Sequence, residues 1–378
     1  TYTASSAASD VYKRQGGAAE EIPFRVNYDL ALGPKVEFEY PIEDTPTFTV
    51  RQIRDGVTSP DGSRIAFSAL DRLWVADADG SDPERLTDAT GTEHQPAWSP
   101  DGRWLAYVTW NGSTGHVMKM RSDGSGSPIQ LTERSAIYVS PAWSPDGERV
   151  VALRGAASDF RESAGGFGGG SPRPTEIVWL RADAESSAAT VIAPVNGRSG
   201  PHFAESSDRI YLFRRPDALV SIRWDGSDER VHVHVRGETA PGAQNATSPT
   251  SLRMAPRGDQ VLALIERQLY TTTVPRVGAE PPTINVGNPS NASFPSRKLT
   301  RMGGEFPSWS ADGRSVHWLL GRAWFTYDLD DAAAAEEAAE AEADDEEADQ
   351  EEEEAEEDED AYEAAELTIS IAADRDIP

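Results

Sequence analysis

The residues best equipped for chemistry are His232-Val233-His234. Two imidazoles at i and i+2 of a strand share one face and can hold a divalent metal, the arrangement found at the end of the first strand of metal-dependent hydrolase barrels. Such a barrel needs further ligands. The remaining histidines, His94, His116, His202 and His317, are scattered, with no alternating strand–helix pattern to gather them. The pair is therefore expected as two half-exposed histidines on an outer strand, and the sequence assigns no catalytic, cofactor-binding or metal-binding residue. No Gly-x-Ser-x-Gly elbow is present, and Gly197-Arg198-Ser199-Gly200 departs from it, so an α/β-type serine hydrolase is not housed here. The run Gly165-Gly166-Phe167-Gly168-Gly169-Gly170 lacks the Lys-Ser/Thr and helix that let a glycine-rich loop cradle phosphate. It reads as an insertion between strands, flanked by Arg161, Pro172, Arg173 and Pro174, able to reach a neighbouring domain. With no cysteine, thiolate metal sites, disulfides and cysteine nucleophiles are excluded.

Charge narrows the partners. The formal net charge of −29 is local in origin: residues 331–366 hold 21 of the 64 acidic residues and none of the 35 basic ones, leaving the rest of the chain at −8. Neither part offers the basic face that phosphate neutralisation needs, so no nucleic-acid partner is expected. The longest apolar runs, such as Val261–Ile265, fall far short of the ~20 residues of a membrane-spanning helix. Alanine and glutamate favour helix in the acidic run, but like charges at i,i+4 repel, and it is expected as a solvated loop inside the last repeat. It lacks the regular ligand spacing of a calcium loop.

The elements that must position any site come from a repeat. Pro96-Ala97-Trp98-Ser99-Pro100-Asp101-Gly102 recurs as Pro141-Ala142-Trp143-Ser144-Pro145-Asp146-Gly147, and its turn as Val57-Thr58-Ser59-Pro60-Asp61-Gly62. Weaker copies are Pro201–Asp208, Leu252–Gly258 and Pro307–Gly313, the last lacking only the second proline, making six. Ser-Pro-Asp-Gly suits a type I turn, with proline setting φ and glycine free to take positive φ at its end. Short strands apolar on both faces follow each turn, for example Trp104-Leu105-Ala106-Tyr107-Val108. Such strands belong to sheets stacked between others. Third strands follow, then Asp-Gly turns at Asp79, Asp123 and Asp225, then fourth strands ending Arg85-Leu86-Thr87, Gln130-Leu131-Thr132 and Lys298-Leu299-Thr300. Four short strands at a period of 40 to 45 residues predict an all-β, six-bladed β-propeller of four-stranded antiparallel blades. Residues 22–50 offer an alternative seventh blade but contain no turn cassette. Polar residues before the innermost strands, His94, Gln95, His202 and Glu305, are candidates for the mouth of the central channel.

The cassette, with Asp77-Ala78-Asp79-Gly80 and Arg-Leu-Thr downstream, resembles the TolB-type, WD40-like PD40 propeller repeat over roughly residues 50–330. That family includes free-standing interaction modules, propellers of prolyl-oligopeptidase-like serine peptidases and propellers preceding metal-dependent amidohydrolase barrels. The expected organisation is a non-native, disordered start over 1–21, with Ser5–Gln15 resembling translated adaptor sequence, and a lead-in over 22–50 packed on the propeller. The propeller spans 51–330 and the acidic insertion 331–366, and residues 367–378 hold a closing strand and the start of a linker. Asp376-Ile377-Pro378 is similar to the lead into an amidohydrolase domain. The resemblance thus implies a non-catalytic propeller fragment that shapes substrate access for a missing C-terminal hydrolase, its partner, which alone would carry divalent metal. Other proteins or peptides at the channel mouth, and a periplasmic or secreted location, are also implied.

Overall fold

The computed structural model describes residues 45–158, 174–204, 206, 208–275, 280–346 and 362–374. Within them the chain forms six blades in sequence order around an axis. Blade 1 comprises Arg54–Thr58, Arg64–Ala69, Arg72–Asp77 and Glu84–Arg85; blade 2, Thr92–Trp98, Trp104–Trp110, Gly115–Arg121 and Ile129–Gln130. Blade 3 comprises Ile137–Trp143, Arg149–Gly155, Glu176–Arg181 and Thr190–Pro194; blade 4, Arg198–His202, Arg209–Arg214, Ala218–Arg223 and Arg230–Arg236. Blade 5 is built from Ser251–Met254, Gln260–Ile265, Gln268–Thr273 and Ser296–Lys298, and blade 6 from Glu305–Trp309, Ser315–Leu320, Ala323–Asp328 and Ala365–Thr368. The expected six-bladed, all-β propeller is what the chain forms.

The cassette is legible in its bonds. In blade 2 the Ser99 hydroxyl donates to Asp101 Oδ1 at 2.6 Å and accepts the Trp104 N–H at 2.9 Å, clamping the turn between the first two strands. Blade 3 repeats this with Ser144, Asp146 and Arg149. Gly102 and Gly147 take φ of +70° and +73°, a conformation costly for a side chain with a Cβ. The cassette tryptophan is the mortar: Trp98 Nε1 donates to the Val57 carbonyl of blade 1 at 3.1 Å, Trp143 Nε1 to Ala97 of blade 2 at 3.0 Å, and Trp309 Nε1 to Arg253 of blade 5 at 3.2 Å. The Leu-Thr ending serves the outer edge. Thr132 and Thr300 hydroxyls accept the N–H groups of Val117 and Leu269 on the neighbouring third strands. Between blades, Arg64 reaches Ser122, Lys119 Nζ donates to the Ala182 carbonyl at 2.6 Å, and Arg149 stands 4.7 Å from the rings of both Trp179 and Trp224.

Three features differ from the sequence expectation. Blade 4 has five strands: Thr283–Asn285, from the loop between the third and fourth strands of blade 5, adds in parallel to Arg230–Arg236. The strand carrying His232 and His234 is therefore covered rather than outermost. The closing strand of blade 6 is Ala365–Thr368; beyond it Ile369 and Ile371 are buried between blades 6 and 1, and Ala372–Asp374 pairs with Thr47–Thr49, a ribbon joining the two ends of the ring. The start of the acidic run is an α-helix, α1, over Leu329–Glu346. Asp328 Oδ1 caps it by accepting the N–H groups of Asp330 and Asp331, and Leu329 and Ala332 bury against blades 5 and 6. Helix capping and apolar anchorage thus outweigh like-charge repulsion there. The lead-in residues 22–44, the glycine-rich run with Arg161 and Arg173, and Asp376-Ile377-Pro378 lie outside the described residues.

Candidate functional site: the axial channel

The innermost strand of every blade touches one cavity of about 550 Å³ on the axis, which runs to the turn prolines Pro60, Pro100 and Pro145. Its wall is shaped by a repeated β-bulge. Asp55, Gln95, Ser140, Gly200 and Phe306 take φ of +53° to +59°, each at a register shift in the first strand of blades 1, 2, 3, 4 and 6. The bulge turns Asp55, Gln95, Ser140 and Phe306 toward the axis and stitches blade to blade. The Gln95 N–H donates to the Asp55 carboxylate, and Gln95 Oε1 accepts the Ser140 N–H at 2.6 Å. Blade 5 alone has an unbroken register between its first two strands, Ser251–Met254 and Gln260–Ile265.

Asp55, His202 and Arg253 are the titratable side chains among the described residues that line the cavity. His202 is committed to structure. Its Nε2 accepts the Met254 N–H of blade 5 at 2.8 Å, which requires that its Nδ1, 2.8 Å from the Gly200 carbonyl, be the protonated nitrogen. Burial, with the Arg253 charge adding to it, lowers its pKa to about 3, so the ring is neutral and neither nitrogen is free for a metal or a proton. Burial raises the Asp55 carboxyl above the usual carboxylate range, against His94, Gln95, Arg54 and Ser68, which pull it down. Arg253 is the other charged group. Burial lowers its pKa, the Asp55 charge opposes this, and its guanidinium makes no hydrogen bond or ion pair with the described residues.

Gln95 and His202, two of the four expected channel residues, line the cavity; the other two do not. His94 Nε2 lies 3.5 Å from Asp71 Oδ1, and Glu305 pairs with Arg267. The His-x-His pair does not converge on a common point. A bulge at His232 sends its Nε2 to the Ser221 hydroxyl at 2.7 Å, and burial lowers its pKa to about 4, whereas His234 Nδ1 binds Asp217 Oδ1 at 2.8 Å. The Ser221 hydroxyl also accepts Arg209 Nε at 2.8 Å and is fully buried, so Ser221 and His232 form a structural contact. Among the described residues no three His, Asp or Glu side chains gather as a metal site.

Sequence reasoning missed Asp55 and Arg253. A signal existed: Arg253 occupies the cassette position held by Ala97, Ala142 and Ser308, and His202 occupies it in blade 4. A large polar residue where the repeat keeps a small one marks a departure from pure packing. A larger cavity of about 730 Å³ lies between blades 2 and 3, but its cations are already engaged. Arg103 pairs with Asp101 at 2.6 Å, Arg181 with Asp183 at 2.7 Å, and Lys119 is bonded to Ala182 and packed on Trp104.

Residues 56–166 match a family model described as "PD40: TolB beta propeller domain". Two curated relatives, both "Tol-Pal system protein TolB", match over short stretches. That of Thioalkalivibrio sulfidiphilus is 33% identical over 78 residues, 18% of this chain and 18% of that one. That of Desulfosudis oleivorans is 38% identical over 52 residues, 13% and 12% of the two chains. The match therefore spans under a fifth of either relative's length. Among solved structures, "putative TolB from Agrobacterium tumefaciens" is 18% identical with a TM-score of 0.48, covering 71% of this chain and 88% of that one. No helix among the described residues is long and apolar enough to cross a membrane. The chain is a six-bladed β-propeller whose residues 56–166 are similar to the TolB-type PD40 propeller domain.

Proposed function

We propose that this propeller is a binding domain without chemistry of its own, which receives a polypeptide segment of another protein or of a further domain at its axial channel. The observation that carries this reading is the single cavity walled by all six inner strands, mostly proline, aromatic and small residues, with polar groups at few places. Its one histidine has both nitrogens engaged, and Asp55 is tied to the neighbouring blade, so neither is placed as the base of a nucleophile. Both curated relatives carry the name of a Tol-Pal system protein, which accords with a role among other proteins. The resemblance to propellers that precede metal-dependent amidohydrolase domains rests on the entry segment around Tyr28–Tyr40 and the exit Leu367–Pro378, of which only residues 367–374 are described, and would make the bound segment part of the same polypeptide. Export to the periplasm or cell surface belongs to the same reading.

The test is a selection from an mRNA-displayed library of random twelve-residue peptides, run on the native chain and on Ser251→Trp, which fills the cavity from a wall residue. Binders lost at least tenfold by the variant are expected. Equal enrichment on both proteins refutes the channel as the site.

A further inference from the structure

We infer that the channel recognises a carboxylate, an Asp or Glu side chain or the C-terminus of the bound segment, and that Arg253 is the residue that receives it; this rests on the channel reading above. The geometry is that of a pair with one member missing. Arg253 stands on the first strand of blade 5, half-buried in the cavity wall, and no carboxylate of the described residues lies within 4.0 Å of its guanidinium. Other buried or half-buried arginines of the blades are paired with carboxylates. Arg198 binds Glu229 at 2.9 Å, Arg209 binds Asp228 at 2.8 Å, and Arg154 binds Glu176 at 2.6 Å. A guanidinium half withdrawn from water, with no acceptor supplied by the described residues, is completed by a planar anion matching its fork of donors.

The same cavity selects among anions. Asp55 shares it, held in place by the Gln95 N–H and by the Ser68 hydroxyl at 3.5 Å, and His202 is neutral, so the lining carries one charge of each sign. One added negative charge finds Arg253 and is repelled by Asp55 only at longer range. A dianionic phosphate doubles the attraction and the repulsion alike but costs far more to strip of water, so a carboxylate is favoured. The aromatic and proline walls, including Trp98, Trp309 and Phe306, suit apolar neighbours of the acidic residue.

The experiment takes the channel-dependent peptides from the library and measures binding to the native chain of three forms: the acid, the corresponding amide, and a phosphoserine in place of the acidic residue. The amide is expected to bind about 10- to 100-fold more weakly than the acid, the range of a charge-assisted hydrogen-bonded pair, and the phosphopeptide more weakly than the carboxylate. Arg253→Gln should remove the difference between acid and amide, Arg253→Lys should restore part of it, and Asp55→Asn should tighten the acid alone. Equal binding of acid and amide to the native chain overturns the assignment without any variant, and leaves the channel reading standing if Ser251→Trp still abolishes binding. Tighter binding of the phosphopeptide overturns the carboxylate in favour of phosphate. A library yielding no channel-dependent binder overturns both readings.

Discussion

Blades 2 and 3 and blades 4 and 5 are copies of one plan put to different uses. In the first pair the cassette is complete: serine clamps the turn, tryptophan donates to the preceding blade, and alanine stands at the channel wall. In the second pair every one of those positions has changed. Phe203 and Met254 replace the tryptophan, Ala204 and Ala255 the serine, and His202 and Arg253 the alanine. The lost indole bond is replaced by His202 accepting the Met254 N–H, and the outer edge of blade 4 gains the strand Thr283–Asn285 lent from blade 5. Regularity builds the ring, and the departure from it places the one unpaired guanidinium found on the channel wall among the described residues.

The largest expected effect lies in the regular pair. Trp143→Ala removes a buried indole and its bond to Ala97, and should cost about 3–5 kcal/mol in urea unfolding, against about 1–2 kcal/mol for Phe203→Ala, whose half-buried ring stacks on Trp224. Equal costs would erase the distinction between the two pairs. Next comes acid. His202 titrates at about 3 when folded and near 6.5 when unfolded, so the unfolded chain binds the extra proton between those values. Stability is full above pH 6.5 and falls as pH drops, by about 3 kcal/mol at pH 4 for this group. His202→Asn should start less stable and lose less of its stability between pH 7 and 4; an unchanged slope would show that the ring is not held neutral.

Smaller effects follow. Arg253→Gln removes a cation that has no hydrogen-bonded partner and is attracted by Asp55 from beyond contact distance, so stability should change by no more than about 1 kcal/mol, where a change at the bonded Lys119 to Ala should lower it by about 1–2 kcal/mol. A loss of similar size at Arg253 would mean that its charge is structural. Smallest is the clamp: Ser144→Ala should cost about 1 kcal/mol, while Ala255→Ser recovers less than half of that, because Arg257 stands where the clamp needs an aspartate.

The fold was readable because the cassette is local chemistry repeated. A Ser-Pro-Asp-Gly turn, a strand apolar on both faces and a Leu-Thr ending each state where the chain must turn, stack or stop. What was hidden depends on register. The β-bulges at Gln95 and Phe306 put positive φ on residues that seldom adopt it, and turned His94 and Glu305 away to Asp71 and Arg267. The lent strand Thr283–Asn285 comes from a stretch with no turn cassette, so nothing nearby announced its pairing. The helix Leu329–Glu346 was masked by its charge, since its anchors are the two side chains Leu329 and Ala332 and the cap Asp328. At the site, Gln95 and His202 were legible as polar residues before a strand. Arg253 was visible only as a break in the repeat, and Asp55 only once the bulge was known.

The most direct measurement is a crystal structure of the chain with an acidic peptide taken from the library. The peptide should lie on the axis with a carboxylate oxygen about 2.7–3.0 Å from the Arg253 guanidinium. A peptide seated between blades 2 and 3 against Trp104 and Trp179, with the axial cavity holding only water, would contradict the account.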